Sequence, residues 1–442
     1  MHAENTPPGA TSGDDFTPRQ RRHAIAAVTL GNGLEFYDFI TYAFFAIQIG
    51  QTFFPSDSPY LSLMGSLAAF GAGFITRPLG AHFLGGFADR HGRKPAMLIS
   101  MTMMGVGILL LVLSPGHAEI GLVAPALAVT ARLIQGFALG GEVGSASIYM
   151  LESARTGSRG FTMSWQAASQ SIAGATGALV GLGLSLILTE AQLAAFGWRI
   201  ALGIGAAIVP LALIMRRTLP ETHDVAVHAA APRASIRPHL RTIWTAFVIL
   251  AAGTMSSYVF IYMATYAQNT LKLPSSIAFA GEMANNMAQA IAVLVGGMLS
   301  DRIGRKPVML GGQIAFIAMI MPCFWWLTSW GGGTTAFLFI NTVLAAASAC
   351  YFGALYAYVG ESLPPSIRAR VFALVYAVPI AVFGGTTQLQ VTWLLEVTGK
   401  PVALGWYLAI TALIGLVAIL FTRESAPLAH RHRQAPVAPL PA

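Results

Sequence analysis

Apolar runs long enough to cross a lipid bilayer recur along most of this chain. About 20 helical residues at 1.5 Å each cover roughly 30 Å of hydrocarbon. Runs of that kind lie near residues 24–51, 60–88, 96–114, 120–150, 160–188, 197–216, 242–268, 276–299, 307–328, 334–359, 370–395 and 402–422. Lipid offers no partner for open backbone N–H and C=O groups, so each span is read as a helix. The ten-residue alternation of an outer-membrane barrel is not seen. Composition agrees: 55% of the 442 residues are hydrophobic and 10% charged, against about 25% charged in soluble domains. The excess cannot hide in one soluble core, because such cores stop growing near about 250–300 residues. The expected fold class is an all-α polytopic membrane protein with 12 transmembrane helices.

The basic residues orient these helices. With the N-terminus inside, 21 of the 26 Lys and Arg fall in tails and loops on the inner side, and Arg199, Lys272 and Lys400 fall on the other. Such a bias predicts both termini in the cytoplasm. It also accounts for the net charge of +8, since these groups meet anionic lipid and nucleic acid is not needed as a partner. The segment before the first span has no apolar h-region, so no cleavable signal peptide is expected. Cys323 and Cys350 lie in apolar runs and behave as small hydrophobes, which excludes a disulfide scaffold. Trp198 and Trp330, near span ends, are read as interface anchors.

Two loop motifs occur twice. Gly85-x-x-x-Asp89-Arg90-x-Gly92-Arg93-Lys94-Pro95 follows the second span, and Gly297-x-x-x-Asp301-Arg302-x-Gly304-Arg305-Lys306-Pro307 stands 212 residues later, after the eighth. Glu152, with Arg159 beyond it, is matched by Glu361 and Arg368 after the tenth span. A single copy also admits a reading as a mere tight basic turn. Two copies imply two six-helix pseudo-repeats, a common transporter plan. The expected organisation is a tail over 1–22, a bundle over 23–216, a linker over 217–241, a second bundle over 242–422 and a tail over 423–442. The glycines permit sharp turns and close helix contact. Asp89 and Asp301 can sit on a helix N-terminus or meet an Arg, while Glu152 and Glu361 can pair with the basic loops across the cytoplasmic mouth. These residues form a candidate cytoplasmic gate.

The doubled loop signature resembles that of the major facilitator superfamily. Gly31-Asn32-Gly33-Leu34-Glu35-Phe36-Tyr37-Asp38-Phe39, Arg77-Pro78-Leu79-Gly80, Arg132-Leu133-Ile134-Gln135-Gly136, Gly140-Gly141-Glu142, Ser164-Trp165 and Gly197-Trp198-Arg199 are similar to segments of its metabolite:H+ symporter family. The run from Gly31 to Glu221 looks most like citrate and tricarballylate carriers, with osmolyte, dicarboxylate and shikimate carriers as relatives. The resemblance covers about residues 22–422 and matches less closely in the second half. It implies alternating access driven by protons, a bacterial inner-membrane location and function as a monomer.

Four acids fall within predicted spans: Glu35, Asp38, Glu142 and Glu282. A charge at the bilayer centre costs about 2.5–3.5 kcal/mol on insertion scales, so each is expected to face a cavity or a partner. Helix rise puts Glu35, Arg77 and Glu142 all roughly 15–17 Å deep, with Asp38 and Arg132 deeper. Glu35 and Asp38 are three residues apart and share one helix face. Burial favours the protonated acid, and a nearby guanidinium favours the ionised one. Asp38 is therefore expected to exchange its proton as Arg132 switches partners, with Glu35 or Glu142 as a second site beside Arg77. The resemblance supports the first pair, because related facilitators set an acid in helix 1 against an Arg in helix 4. A static ion pair holding helices 1, 2 and 4 is the competing reading. The second half has no counterpart: Asn341 lies opposite Arg132, and an apolar stretch lies opposite Glu35 and Asp38.

Polar stripes mark a candidate substrate pocket. Glu282, Asn285, Asn286 and Gln289 follow helical spacing on span 8, and Tyr258, Tyr262, Thr265 and Tyr266 do so on span 7. Gln166 and Gln170 on span 5 and Gln388 on span 11 add hydrogen-bonding groups, and Tyr37 lies in the first of the similar segments. Each can line a wet cavity or merely bridge helices. Arg77 and Arg132 are the intramembrane cations, and bidentate capture of a carboxylate suits Arg. The expected activity is proton-coupled uptake of a small organic acid such as a tri- or dicarboxylate. A zwitterionic osmolyte, a shikimate-like acid, or exchange of a hydrophobic cation for protons are the alternatives. A transporter-fold receptor is a further one. The His residues lie mostly in tails and loops without HExxH spacing, and no Walker A motif occurs, so no enzyme, metal, cofactor or ATP drive is expected.

Overall fold

The computed structural model describes residues 18–91, 93–140, 147, 150–155, 157–217, 235–329 and 333–426. Every expected span contains helix. In the first half, α1 runs Pro18–Phe44 and resumes as Ala46–Phe53, α2 covers Pro59–Ile75 and Arg77–His91, and α3 is Arg93–Leu113. Then come α4 (Val123–Gly140), α5 (Arg159–Ile187) and α6 (Trp198–Arg217). The second half holds α7 (Leu240–Thr265), α8 (Ser275–Ile303) and α9 (Arg305–Ser329). It closes with α10 (Thr334–Ala349, resuming as Phe352–Glu361), α11 (Pro365–Pro379, resuming as Gly385–Thr398) and α12 (Ala403–Leu420). Eight helical stretches among the described residues are long and apolar enough to cross a membrane. α1 is already helical at Pro18, the first described residue, ahead of the expected edge at 22. Most of the 217–241 linker, residues 218–234, lies outside the described residues.

Local chemistry sets the helix ends. Pro59 opens α2 behind Ser58, and Pro365 opens α11 behind Pro364; proline's fixed φ and missing N–H suit a first turn. α8 stops at Gly304 (φ 108°) and α11 at Gly399 (φ 60°), backbone that L side chains avoid. Several helices break in mid-span. α1 is interrupted at Phe45 and α2 at Thr76. α7 and α11 carry π turns at Tyr266–Thr270 and Ile380–Gly384, the latter directly behind Pro379. A proline inside a helix removes one backbone bond, and a π turn absorbs the extra residue.

Small residues bring the halves together. A Cβ on Gly297 of α8 would lie 2.7 Å from the Gly160 carbonyl of α5, and one on Gly71 of α2 would lie 2.6 Å from the Gly385 carbonyl of α11. Such contacts let backbones approach where lipid supplies no hydrophobic drive. Between these two seams sits an aromatic cluster: Phe39 is 4.6 Å from Phe70 and 5.1 Å from Phe74, and Tyr258 of α7 reaches Phe74 at 5.5 Å.

Trp198 departs from expectation. It is 0% exposed at the start of α6, packed edge-on against Phe53. The Arg199 guanidinium stands 4.4 Å from its ring and donates to the Val112 and Ser114 carbonyls at the end of α3. Its place at a span end is that of an anchor, but neighbouring helices cover it. Trp330 lies outside the described residues.

Candidate functional site

Asp38 and Arg132 meet as expected. Their closest atoms are 3.6 Å apart. Arg132 sits on α4 where α2 passes at glycine distance: a Cβ on Gly73 would lie 2.9 Å from the Arg132 carbonyl, and the Thr76 hydroxyl donates to the Leu133 carbonyl at 2.7 Å. Its guanidinium is 4.4 Å from the Tyr42 ring, 5.1 Å from Phe39 and 5.3 Å from Phe70. Cation–π contact of this kind holds a guanidinium out of water. Its Nη1 also donates to Gln135 Oε1 at 2.6 Å.

Arg77, at the break in α2, also lies against this aromatic cluster, 4.8 Å from the Phe39 ring and 4.4 Å from Phe74. Among the described residues it has no ion pair, and its Nε and Nη2 have no hydrogen-bond partner. It lies close to Tyr258 and Tyr376. Glu35 is buried on the face it shares with Asp38. Glu142 lies outside the described residues, so the predicted layer of Glu35, Arg77 and Glu142 is seen only in part.

A cavity of about 90 Å³ lies between the halves, walled by Phe36, Gln170, Tyr258, Asn286, Gln289 and Tyr376 among others. That is room for several waters. Gln170 of α5 donates to the Tyr376 hydroxyl of α11 at 3.1 Å, so a hydrogen bond between the halves spans the cavity. Of the predicted pocket residues, Gln170, Tyr258, Asn286 and Gln289 line it. Tyr37 instead donates to the Ala201 carbonyl of α6. Gln166 exchanges hydrogen bonds with Asn32 and so ties α5 to α1. Tyr262, Gln388 and Glu282 are buried off the wall. Sequence reading missed Tyr376, Tyr356 and Thr254, which are wall residues. Tyr376 lay in a span read only for its amides, and Tyr356 one turn from a gate motif.

One face of the molecule carries the repeated motifs. There Asp301 accepts from the backbone N–H groups of Gly160 and Phe161 at the start of α5, both at 2.8 Å. It also pairs with Arg305 at 2.6 Å. Asp301 thus holds a helix N-terminus and an Arg at once, and it clasps the two halves. Arg305 goes on to bind both oxygens of Glu361 at 3.0 and 3.2 Å. Glu361 therefore pairs within its own half. Burial pushes the Arg368 guanidinium below its usual value while Glu152, across the mouth, pulls the other way. Arg302 and Glu152 are exposed, and Arg159 is the first residue of α5. Gly304 abuts Glu424, whose carboxylate accepts from the backbone N–H groups of Arg305 and Lys306. No motif had singled out Glu424. The first copy of the motif is less visible. Gly85 has no described atom within 4 Å of where a Cβ would stand. Gly92 and the side chains of Asp89, Arg90 and Arg93 lie outside the described residues.

The opposite face is closed too. Gln48 donates to Gln268 at 3.3 Å, and Glu190 accepts from the Ser275 backbone and hydroxyl at 3.3 and 2.7 Å. The Phe45 and Phe279 rings meet at 4.9 Å. Contacts between the halves therefore flank the cavity on both sides.

Comparison with known proteins fits this architecture. Residues 24–231 match the family model described as "Sugar (and other) transporter", and residues 282–442 match "Major Facilitator Superfamily". The citrate-proton symporter of Salmonella typhi is 38% identical over 411 residues, covering 91% of this chain and 94% of that protein. The alpha-ketoglutarate permease of Escherichia coli (strain K12) is 34% identical, covering 92% and 95%. Among solved structures, the proton:xylose symporter XylE bound to 6-bromo-6-deoxy-D-glucose superposes with a TM-score of 0.75 at 15% identity. It covers 92% of this chain and 96% of its own.

Proposed function

This chain belongs to the major facilitator superfamily, among its metabolite:H+ symporters, and we propose that it takes up a tri- or dicarboxylate together with protons by alternating access. It is a multi-pass membrane transporter and not an enzyme. The observation that carries the substrate reading is the pair of guanidiniums that both lie within about 5 Å of the Phe39 ring. Arg132 has Asp38, whereas Arg77 has two unbonded donors and no ion pair among the described residues. A buried cation with open donors behind the wall residues Tyr258 and Tyr376 suits a carboxylate, which a guanidinium binds in two-point fashion.

In this reading the substrate rests among Gln170, Tyr258, Asn286 and Tyr376 with one carboxylate drawn to Arg77. Asp38 takes the transported proton when Arg132 leans to Gln135 and returns it when Arg132 swings back. Glu35, buried on the helix face it shares with Asp38, is a second acid of the first half, and Glu142 stays a candidate for that role. Asp301, Arg305, Glu361, Glu152 and Arg368 close the motif face. The basic bias of the loops supports that face being cytoplasmic, with both termini inside. A bacterial inner membrane and a monomeric working unit complete the reading, as do the bundle boundaries at 216 and 242.

A second substrate class has one observation in its favour: Phe36, Tyr258 and Tyr376 line the cavity, and aromatic walls also suit the quaternary ammonium of a zwitterionic osmolyte. Uptake into proteoliposomes under an inside-alkaline gradient decides between them. Labelled citrate or a dicarboxylate should accumulate and be lost on adding a protonophore, while betaine and shikimate should not. Accumulation of betaine alone would overturn the carboxylate reading.

A further inference from the structure

We propose that Glu282 is a second proton-binding site, lodged in the second half and sealed from the cavity by Asn286, which seats against Gly174 of the first half. The inference rests on the symport reading above. Glu282 is 0% exposed in α8. Its surroundings differ from those of Asp38, because its contacts are neutral. Asn285 Nδ2 is 3.2 Å and Asn286 Nδ2 3.5 Å from one carboxyl oxygen, and the Asn341 side chain and the Ala264 backbone of α7 also face the carboxyl group. Asn341 of α10 completes the cluster, accepting from Asn285 at 3.3 Å and donating to the Gly281 carbonyl at 3.2 Å. From α7 the cluster meets the Phe260 carbonyl, and from α5 it meets Gly174. No charged or titratable side chain among the described residues faces Glu282 from these helices. A bare carboxylate in such a place costs several kcal/mol, so the side chain rests there as the neutral acid, carrying a proton.

The fold itself does not call for an acid at this turn. The repeat offset of 212 residues brings Glu282 onto Phe70, an apolar ring, in the first half. The amide ladder, in contrast, leads somewhere. Asn286 and Gln289 line the cavity, and Gln289 donates to Asn285 at 2.5 Å. A Cβ on Gly174 would stand 2.8 Å from Asn286 Cγ, so the amide fills the space that this glycine leaves open across the seam between the halves. One turn toward the opposite face, Phe279 lies against Gly181 and Phe45 and closes that side.

Alternating access moves α8 off α5, and Asn286 then loses its seat. Cavity water reaches Glu282, its O–H bond breaks, and the proton leaves as hydronium with the carboxylate behind. In the state open to the other side, hydronium returns a proton and the O–H bond re-forms. Nothing else is consumed. Two acids, Asp38 and Glu282, then each carry one proton per cycle.

The test counts protons. With the membrane potential clamped at zero, the substrate ratio at which net flux stops is measured against an imposed pH difference in proteoliposomes. Each coupled proton multiplies that ratio by about tenfold per pH unit. Glu282→Gln should lower the zero-flux ratio by about tenfold per pH unit, and Glu282→Asp should restore it. An unchanged ratio in Glu282→Gln overturns the proposal and leaves symport standing. A wild-type protein with no pH-driven uptake overturns both. If Glu282→Gln does not transport, infrared spectroscopy of the wild type decides. The carboxylic-acid C=O band absent from the Gln variant should exchange in D2O quickly only with substrate present. A band that stays unexchanged during turnover overturns the proposal.

Discussion

Asp38 and Arg132 stand 3.6 Å apart, each 1% exposed, and no hydrogen bond joins them. The short bond of Arg132 goes to Gln135 instead, at 2.6 Å. A buried ion pair with good hydrogen bonds is a fixture, and breaking one costs about 3–5 kcal/mol. This pair is coulombic only, so a small shift of the guanidinium is enough to let the carboxylate accept a proton. Asp38→Asn should therefore abolish accumulation driven by a pH gradient while counterflow of labelled substrate continues. Gradient-driven accumulation by Asp38→Asn at the wild-type level would assign the pair a structural role.

Arg77 makes the complementary prediction. Hydrogen bonds to charged groups contribute about 1.5–3 kcal/mol, so Arg77→Gln should raise the half-saturating carboxylate concentration by about 10- to 100-fold. Arg77→Lys keeps the charge but not the two-point geometry and should fall between. Equal half-saturation for all three proteins would show that the cavity recognises its ligand through amides and hydroxyls alone.

The number and positions of the helices were legible in the sequence because bilayer thickness and backbone satisfaction leave a long apolar run only one structure. Asp38 and Arg132 were legible for a related reason: charges in lipid need partners, and few were present. The pocket was harder to read. Gln166 and Gln388 carry the same amide as Gln170, and Tyr37 a hydroxyl like that of Tyr376, yet Tyr37 faces α6 and Gln166 faces Asn32. Helical spacing gives the face of a side chain but not which neighbour that face meets, and the breaks at Phe45, Thr76 and Ile380–Gly384 rotate the register midway. Trp198 failed for the same reason, since what covers a span end is a matter of packing between helices. Glu424 follows the last span outside any repeat, so nothing in the pattern pointed to its place on α9.

Asp301 accepts from two backbone N–H groups of the other half with its two oxygens. Asp301→Ala removes both bonds and the partner of Arg305, and should favour opening of the motif face by about tenfold or more. The readout is labelling of Ser164→Cys, which sits beside Gly353 in the seam, in a background lacking Cys323 and Cys350. A water-soluble thiol reagent should modify it faster in Asp301→Ala than in the parent. Equal rates would mean that the α5–α8 contact, rather than the clasp, holds this face shut.

Two glycines of the first half should respond in opposite ways. A methyl group on Gly136 of α4 would press into the Gly73 carbonyl of α2, which is backbone and cannot turn aside, whereas one on Gly85 meets no described atom within 4 Å. Gly136→Ala should therefore destabilise the protein by about 1–3 kcal/mol as α4 is forced off α2. It should also weaken proton coupling, because Arg132 rides on the same turn. Among the described residues Gly85→Ala breaks no such contact, and alanine in mid-helix is worth about 0.5–1 kcal/mol over glycine. Thermal unfolding in detergent should show a lower midpoint for the first variant and an equal or higher one for the second. A lower midpoint for Gly85→Ala would mean that this motif glycine meets a neighbour in another state of the cycle. In that case its role belongs to the gate rather than to the helix that carries it.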